Sequence, residues 1–420
     1  MLIDNALVIL LPFSLLATGH AIHNSTISAA WYAGWHAKDF PLSQVSWSKY
    51  THLTYAFALT TPDLIPQFVS MAQQHDVVGP GSRWFSSNVR TAQNRTAFVR
   101  TVTNLAQKYH LDGLDFDWEF PGVQGIGCNV VDPSDTVNFF SFLQELRNST
   151  IGEKLILSAA TEDTPWVSST GMPSANVSQF SQVLDFIEIM NYDIKSNPAS
   201  GAGSSSPLND SCAPVGARFG SAVSAVDAWM AAGIPADKIV LGVPAYGHSF
   251  VTPTQSTEVS NGSSSSSNST LPLYPPYNSS VEHPGDKWDG DGGVDVCGVM
   301  QGPGEGFLNQ DGSVADDIKF RFDDCSQTRC YVAYENPQSY ASKGGFIRSA
   351  GLKGFAMWEA GGDLNDTLLD SILNATQKNG PPASSAPTTN AKSSATSARL
   401  MRAQSVWLAL LAIVLVVITK

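Results

Sequence analysis

The stretch that most constrains this chain is Leu111-Asp112-Gly113-Leu114-Asp115-Phe116-Asp117-Trp118-Glu119-Phe120. Apolar and acidic residues alternate with period two, and successive side chains of a strand point to opposite faces. Asp115, Asp117 and Glu119 therefore share one face, and Leu114, Phe116, Trp118 and Phe120 the other. So bulky an apolar face must pack against other elements, which turns the acidic face into a cavity. Carboxylates spaced ~7 Å apart along one face repel, so at least one holds its proton to unusually high pH. A proton held near neutrality is what a general acid needs. A solvated edge strand would instead mix signs and use Lys or Thr.

The decapeptide resembles the D-G-x-D-x-D-x-E signature of glycoside hydrolase family 18, the chitinases. The resemblance extends over about Ala29 to Leu373, and Met190-Asn191-Tyr192-Asp193 is similar to the family's M-x-Y-D motif. It implies a (β/α)8 TIM barrel with the acid at a strand's C-terminal end, and a substrate-assisted mechanism. Glu119 would then protonate the glycosidic oxygen and later activate water, and Asp117 would hold the substrate's acetamido N–H with Asp115 behind it. Tyr192 would bond the acetamido oxygen, Asp193 would hold the sugar and steer Glu119, and Trp358 would floor the sugar subsite. Met190 and Trp31, with Trp35 and Tyr246 as further aromatic positions, complete the expected substrate-binding set.

Hydrophobic periodicity supports the barrel independently. Short apolar runs at Ala29 to Trp35, Thr51 to Ala58, Leu155 to Ala160, Phe186 to Tyr192, Ile239 to Val243 and Gly354 to Trp358 read as buried parallel strands. Helical spacing at Ala92 to His110, Asn138 to Arg147 and Ala222 to Ala232 separates them, the alternation of a parallel sheet with crossover helices. The rhythm breaks over about 248–340, too long for one structureless loop, which suggests a small inserted module between strands 7 and 8. It breaks again after Ala58. A helix at about Leu64 to Gln74 and the Ala92 helix leave only Asp76-Val77-Val78-Gly79 for the third strand, and the S-x-G-G ending of the family is missing. A barrel strand needs ~5 residues, so the third strand is predicted to be truncated and the chain to have low or no activity and lowered stability.

A net charge of −13 argues against a nucleic-acid partner, whereas ten Trp and eleven Tyr supply platforms for an uncharged polysaccharide. Residues 1–21 read as a signal peptide, with an apolar run from Ala6 to Leu16 and small residues to Ala21, though Asp4 and the lack of Lys or Arg are unusual. Ten N-x-S/T sequons point to the same secretory route. The catalytic domain is placed at 22–375, a Ser/Thr/Pro-rich stalk at 376–405 and a hydrophobic anchor signal at 406–420. A helix over 406–419 reaches ~21 Å, short of the ~30 Å hydrocarbon core, so a glycosylphosphatidylinositol anchor is favoured over a membrane span. Five cysteines in an oxidising compartment give two disulfides and one leftover. Cys128 with Cys212 at one barrel rim and Cys297 with Cys325 are the expected pairs, leaving Cys330. No metal or other cofactor is expected.

The leading expectation is a secreted, monomeric, surface-anchored chitinase acting on chitin or N-acetylglucosamine oligosaccharides. A chitin-binding lectin on the same barrel and an endoglycosidase trimming N-glycans are the alternatives; the presence of Glu119 disfavours the lectin.

Overall fold

In the computed structural model, residues 26–38, 40–58, 81–125, 129–194, 201–211, 213–252, 329–377 and 414–419 are described. The strands are β1 (Ile27–Ala33), β2 (His52–Ala58), β3 (Gly113–Asp117), β4 (Ile156–Thr161), β5 (Phe186–Ile189), β6 (Ile239–Pro244), β7 (Gly247–Thr252), β8 (Arg329–Tyr334), β9 (Gly354–Trp358) and β10 (Val414–Thr419). The α-helices are α1 (Phe85–Val89), α2 (Ala92–Tyr109), α3 (Asp135–Arg147), α4 (Ala222–Ala231), α5 (Pro337–Ala350) and α6 (Thr367–Thr376). The expected strands and helices between 85 and 376 stand within a few residues of their predicted places.

The barrel runs β1-β2-β10-β3-β4-β5-β6-β9. Seven of these strands run parallel, one fewer than the eight of the expected (β/α)8 barrel. The eighth position, between β2 and β3, is filled by β10, which runs antiparallel to both. It faces β3 from Val414 opposite Phe116 to Val417 opposite Gly113, and its register with β2 shifts between Val414 and Val416. No parallel strand of the chain's own third β/α unit stands there among the described residues. The candidate residues for that unit, Leu64 to Gln74 and Asp76 to Gly79, lie outside them, as do the signal peptide, residues 378–405 of the expected stalk and Cys128, Cys212, Cys297 and Cys325, whereas Thr376, the first residue of that stalk, still belongs to α6. Only the two ends of the 248–340 insertion are described: β7 and β8 form an antiparallel pair from Gly247 opposite Tyr334 to Thr252 opposite Arg329.

The two faces of the acidic strand separate as the alternation requires. Phe116 packs edge-on against Phe142 at 5.4 Å, and Trp118 stacks on Phe85 at 5.2 Å and meets Phe139 edge-on at 5.5 Å. Each such ring contributes about 1.5–3 kcal/mol on burial, and together they anchor β3 to α1 and α3. Helix α2 leads into that strand. Its first turn is capped by Thr91, whose hydroxyl accepts from the Asn94 N–H at 3.1 Å, and it ends at His110 in the left-handed conformation. Phe98, Val99, Val102, Leu105 and Ala106 are its buried stripe. Opposite, Lys343 of α5 is 1% exposed, pairs with Glu335 at 2.8 Å and donates to Ser206 Oγ at 2.6 Å, which fastens the exit of the insertion to the loop after β5.

Candidate active site

Asp115, Asp117 and Glu119 line the inside of the barrel, at 0%, 4% and 6% exposure. Asp115 lies deepest. Its Oδ2 accepts from the Trp31 indole at 3.3 Å and its Oδ1 from Ser158 Oγ at 2.8 Å. Trp31, at 1% exposure, thus supports a carboxylate from within the core. Asp117 donates to Glu119, and its other oxygen, Oδ1, has no hydrogen-bond partner although it is buried. Glu119 stands two residues beyond the end of β3, at the barrel mouth.

The backbone of Glu119 is held at both ends. Its N–H donates to Ser82 Oγ at 2.9 Å, and its carbonyl accepts from Asn129 Nδ2 at 2.9 Å. Gly125 packs so closely that a Cβ there would stand 2.1 Å from the same carbonyl, so a side chain would push Glu119 out of place.

Burial raises the pKa of every carboxyl in the cluster. The Glu119 carboxyl is pushed up to about 8, first by burial and then by the negative charge of Asp193, with the bond from Asp117 working the other way. Asp117 is held well above the ordinary carboxylate range by burial and by Glu119 and Asp115 beside it. Burial also raises Asp115, against the bonds it accepts. The arrangement therefore carries protons at neutral pH where exposed carboxylates would have lost them, the condition for general acid chemistry.

The second motif reaches the same cavity. Tyr192 is buried, and its phenol is kept protonated by burial and by the surrounding charges of Asp117, Asp193, Glu119 and Glu188. Asp193 is exposed, adopts the left-handed conformation at φ 54°, and accepts from the Tyr246 hydroxyl at 2.7 Å. Such a conformation in a non-glycine residue is uncommon and clusters at functional sites. Trp358 ends β9, stacks on Phe57 at 5.7 Å and meets Trp31 at 5.8 Å. Met190 is half-buried against the core, and its N–H donates to the Thr161 carbonyl at 2.8 Å. The predicted catalytic and sugar-binding residues therefore lie on barrel strands or just beyond their C-terminal ends.

Against this geometry, the family profile described as glycosyl hydrolases family 18 matches residues 28–363. The chain belongs to that family. A chitinase-like effector of Moniliophthora roreri is 41% identical over 407 residues, which cover 88% of this chain and 97% of that one. The crystal structure of a chitinase from Rhizomucor miehei superposes with a TM-score of 0.66 at 25% identity, covering 83% of this chain and 99% of that chain. A family 18 chitinase from Cycas revoluta, solved in complex with (GlcNAc)3, shares the fold at a TM-score of 0.59 and 22% identity, over 84% of this chain and all of its own.

Sequence reasoning missed Ser82, Asn129, Ser158 and Glu188. The first two hold the Glu119 backbone from a short 3-10 turn (Gly81–Trp84) and a loop, where no periodicity points to them. Ser158 and Glu188 had a signal, since each is a polar residue alone in an apolar strand. Among the described residues, no group of His, Cys, Asp and Glu is arranged to hold a metal.

Proposed function

We propose that this cavity hydrolyses β-1,4 bonds in polymers of N-acetylglucosamine, with the substrate's own acetamido group as nucleophile. The observation that carries the reading is a buried acid at the barrel mouth, Glu119, whose proton is retained to about pH 8 and whose carboxyl accepts from Asp117. Glu119 gives its proton to the leaving glycosidic oxygen while the acetamido oxygen attacks the anomeric carbon. Asp117 Oδ1 is suited to accept the acetamido N–H, and the protonated Tyr192 to donate to the acetamido oxygen. Glu119 then removes a proton from water, which opens the cyclic intermediate with the β configuration retained. A second carboxylate acting as nucleophile from the opposite side is not needed, and Asp117 is tied to Glu119 on the same strand.

The 41% identity to a protein named chitinase-like effector supports a second reading, in which the chain binds chitin oligosaccharides without cutting them. Among the described residues only the antiparallel β10 stands between β2 and β3, and that is the physical reason turnover would be slow. We place the protein outside the cell as a monomer. In support, five of its sequons, Asn148, Asn176, Asn209, Asn365 and Asn374, are exposed. The lipid-anchor reading of 406–420 would remove β10 from the barrel, so the two uses of that segment compete. Among the described residues, no helix is long and apolar enough to cross a membrane.

The direct test incubates the purified chain with chitin oligosaccharides and follows new reducing ends and their anomeric form by NMR. Release of β-anomer supports hydrolysis with acetamido assistance. Binding without release favours the lectin, and α-anomer as first product removes the mechanism.

A further inference from the structure

Glu188 is a fourth carboxyl inside the barrel, and the mechanism above does not use it. It lies in β5, a strand otherwise apolar, at 1% exposure. The parallel register sets Asp117 beside Ala160 and Ala160 beside Glu188, so Asp117 and Glu188 stand at one level of the barrel with only a methyl group between them in the sheet. Directly opposite residues of a parallel ladder point to the same side, here the interior. One level below, Asp115 stands beside Ser158, and Glu188 reaches it with a hydrogen bond. The remaining oxygen of Glu188, Oε2, has no partner.

The charge balance of this cluster decides who donates. The groups acting on the four carboxyls from within the described residues are one another, Ser158, Trp31, the Phe116 backbone, Asp193 and Glu162, and none is a cation. Four buried carboxylates without a cation cannot all be ionised. Asp115 already accepts from Trp31 and Ser158, which favours its charged form. Glu188 has no such donors, and burial together with Asp115 and Asp117 raises it well above the ordinary range. Tyr192, the other titratable group acting with it, keeps its own proton.

We propose that Glu188 is a positioning residue for hydrolysis: as a neutral acid it donates to Asp115, fixes the single negative charge of the deep pair on Asp115, and so leaves Asp117 as the member that shares a proton with Glu119. This rests on the hydrolytic reading of the site. The chemistry it implies is specific: the deep pair neither gains nor loses a proton during turnover, and only Glu119 exchanges one with substrate and water.

The test uses the full chain with Glu188→Gln and Glu188→Leu. Infrared difference spectra at neutral pH read the carbonyl band of protonated carboxyls whether or not the chain cuts chitin. Parent minus Glu188→Gln should show the loss of one such band, and its absence overturns the proposal. On chitin oligosaccharides Glu188→Gln is expected to keep kcat within about threefold and the alkaline limb of the pH profile in place, since the amide donates the same bond with the same zero charge. A limb displaced to lower pH would mean that Glu188 is an anion in the parent, and overturns it too. Glu188→Leu is expected to lower kcat by roughly tenfold or more and to change the pH profile, because Asp115 loses a donor, takes up a proton and no longer raises Asp117, the group that bonds Glu119. A Glu188→Leu chain that only melts earlier, with kcat and pH profile unchanged, reduces Glu188 to packing. If the parent cuts no oligosaccharide at all, the hydrolytic reading falls while the infrared spectra still decide who holds the proton.

Discussion

The barrel is closed in two different ways. On one side β9 lies parallel between β1 and β6, in register from Ile27 opposite Gly354 and from Val240 opposite Gly354, and it follows directly on its own helix, α5. On the other side β2 and β3 do not meet, and the strand between them comes from the far end of the chain, runs backwards and breaks register against β2. The difference teaches that a closed hydrogen-bonded ring does not require the β/α order to be complete. What the ring needs locally is an apolar segment able to satisfy two ladders, because each buried backbone group left unpaired costs about 1–3 kcal/mol. The acidic strand β3 is thereby held on one side by the parallel β4 and on the other by a tail.

The largest expected effect comes from removing that tail. A chain ending at Gln377 should melt on the order of 10 °C lower or fail to fold, since β2 and β3 both lose a partner; an unchanged melting temperature would mean that β10 contributes nothing. Restoring the missing unit sharpens the contrast. An apolar segment ending in Ser-x-Gly-Gly, inserted between Val77 and Gly81, should raise turnover about tenfold or more by steadying β3 and make the tail dispensable. Equal activity and stability with and without the insert would show that the third position is not defective.

A smaller effect compares the two closures strand by strand. Proline removes a ladder donor, so Leu415→Pro and Ala356→Pro should each destabilise by about 1–3 kcal/mol or more in denaturant titrations. A harmless Leu415→Pro beside a damaging Ala356→Pro would take β10 out of the barrel. Smallest is Ser82→Ala, which removes the acceptor for the Glu119 N–H. Turnover should fall roughly tenfold with oligosaccharide affinity retained; a matching loss of affinity would place Ser82 in the binding surface instead.

Much of the fold was legible because barrel strands are buried on both sides and read as short apolar runs between helical stretches. The acidic face of β3 was legible for a sharper reason, since no other structure explains Asp115, Asp117 and Glu119 at period two. That the third position would be irregular was expected from the residue count between Ala58 and Leu111, and among the described residues β10 stands there. What filled the place could not be read from the sequence, because an apolar run at 406–419 satisfies an anchor signal and a barrel strand equally well, and pairing between distant segments leaves no local pattern. Glu188 was passed over for a related reason: one Glu within Phe186-Ile187-Glu188-Ile189 looks like an interruption until the register sets it beside Asp117.

The most direct measurement is the pH dependence of chitin-oligosaccharide hydrolysis by the parent and by Glu119→Gln, with affinity measured on both. The account expects activity in the parent, slow but measurable, that holds on the acid side and falls as pH rises through about 8, where Glu119 gives up its proton. Because the folded carboxyl is raised, the proton is present below that value and lost above it. Glu119→Gln should bind as the parent does and release nothing. Equal turnover in the two chains, or a parent that binds but never cuts even with its third strand restored, would contradict Glu119 as the acid and leave the protein a binder of chitin.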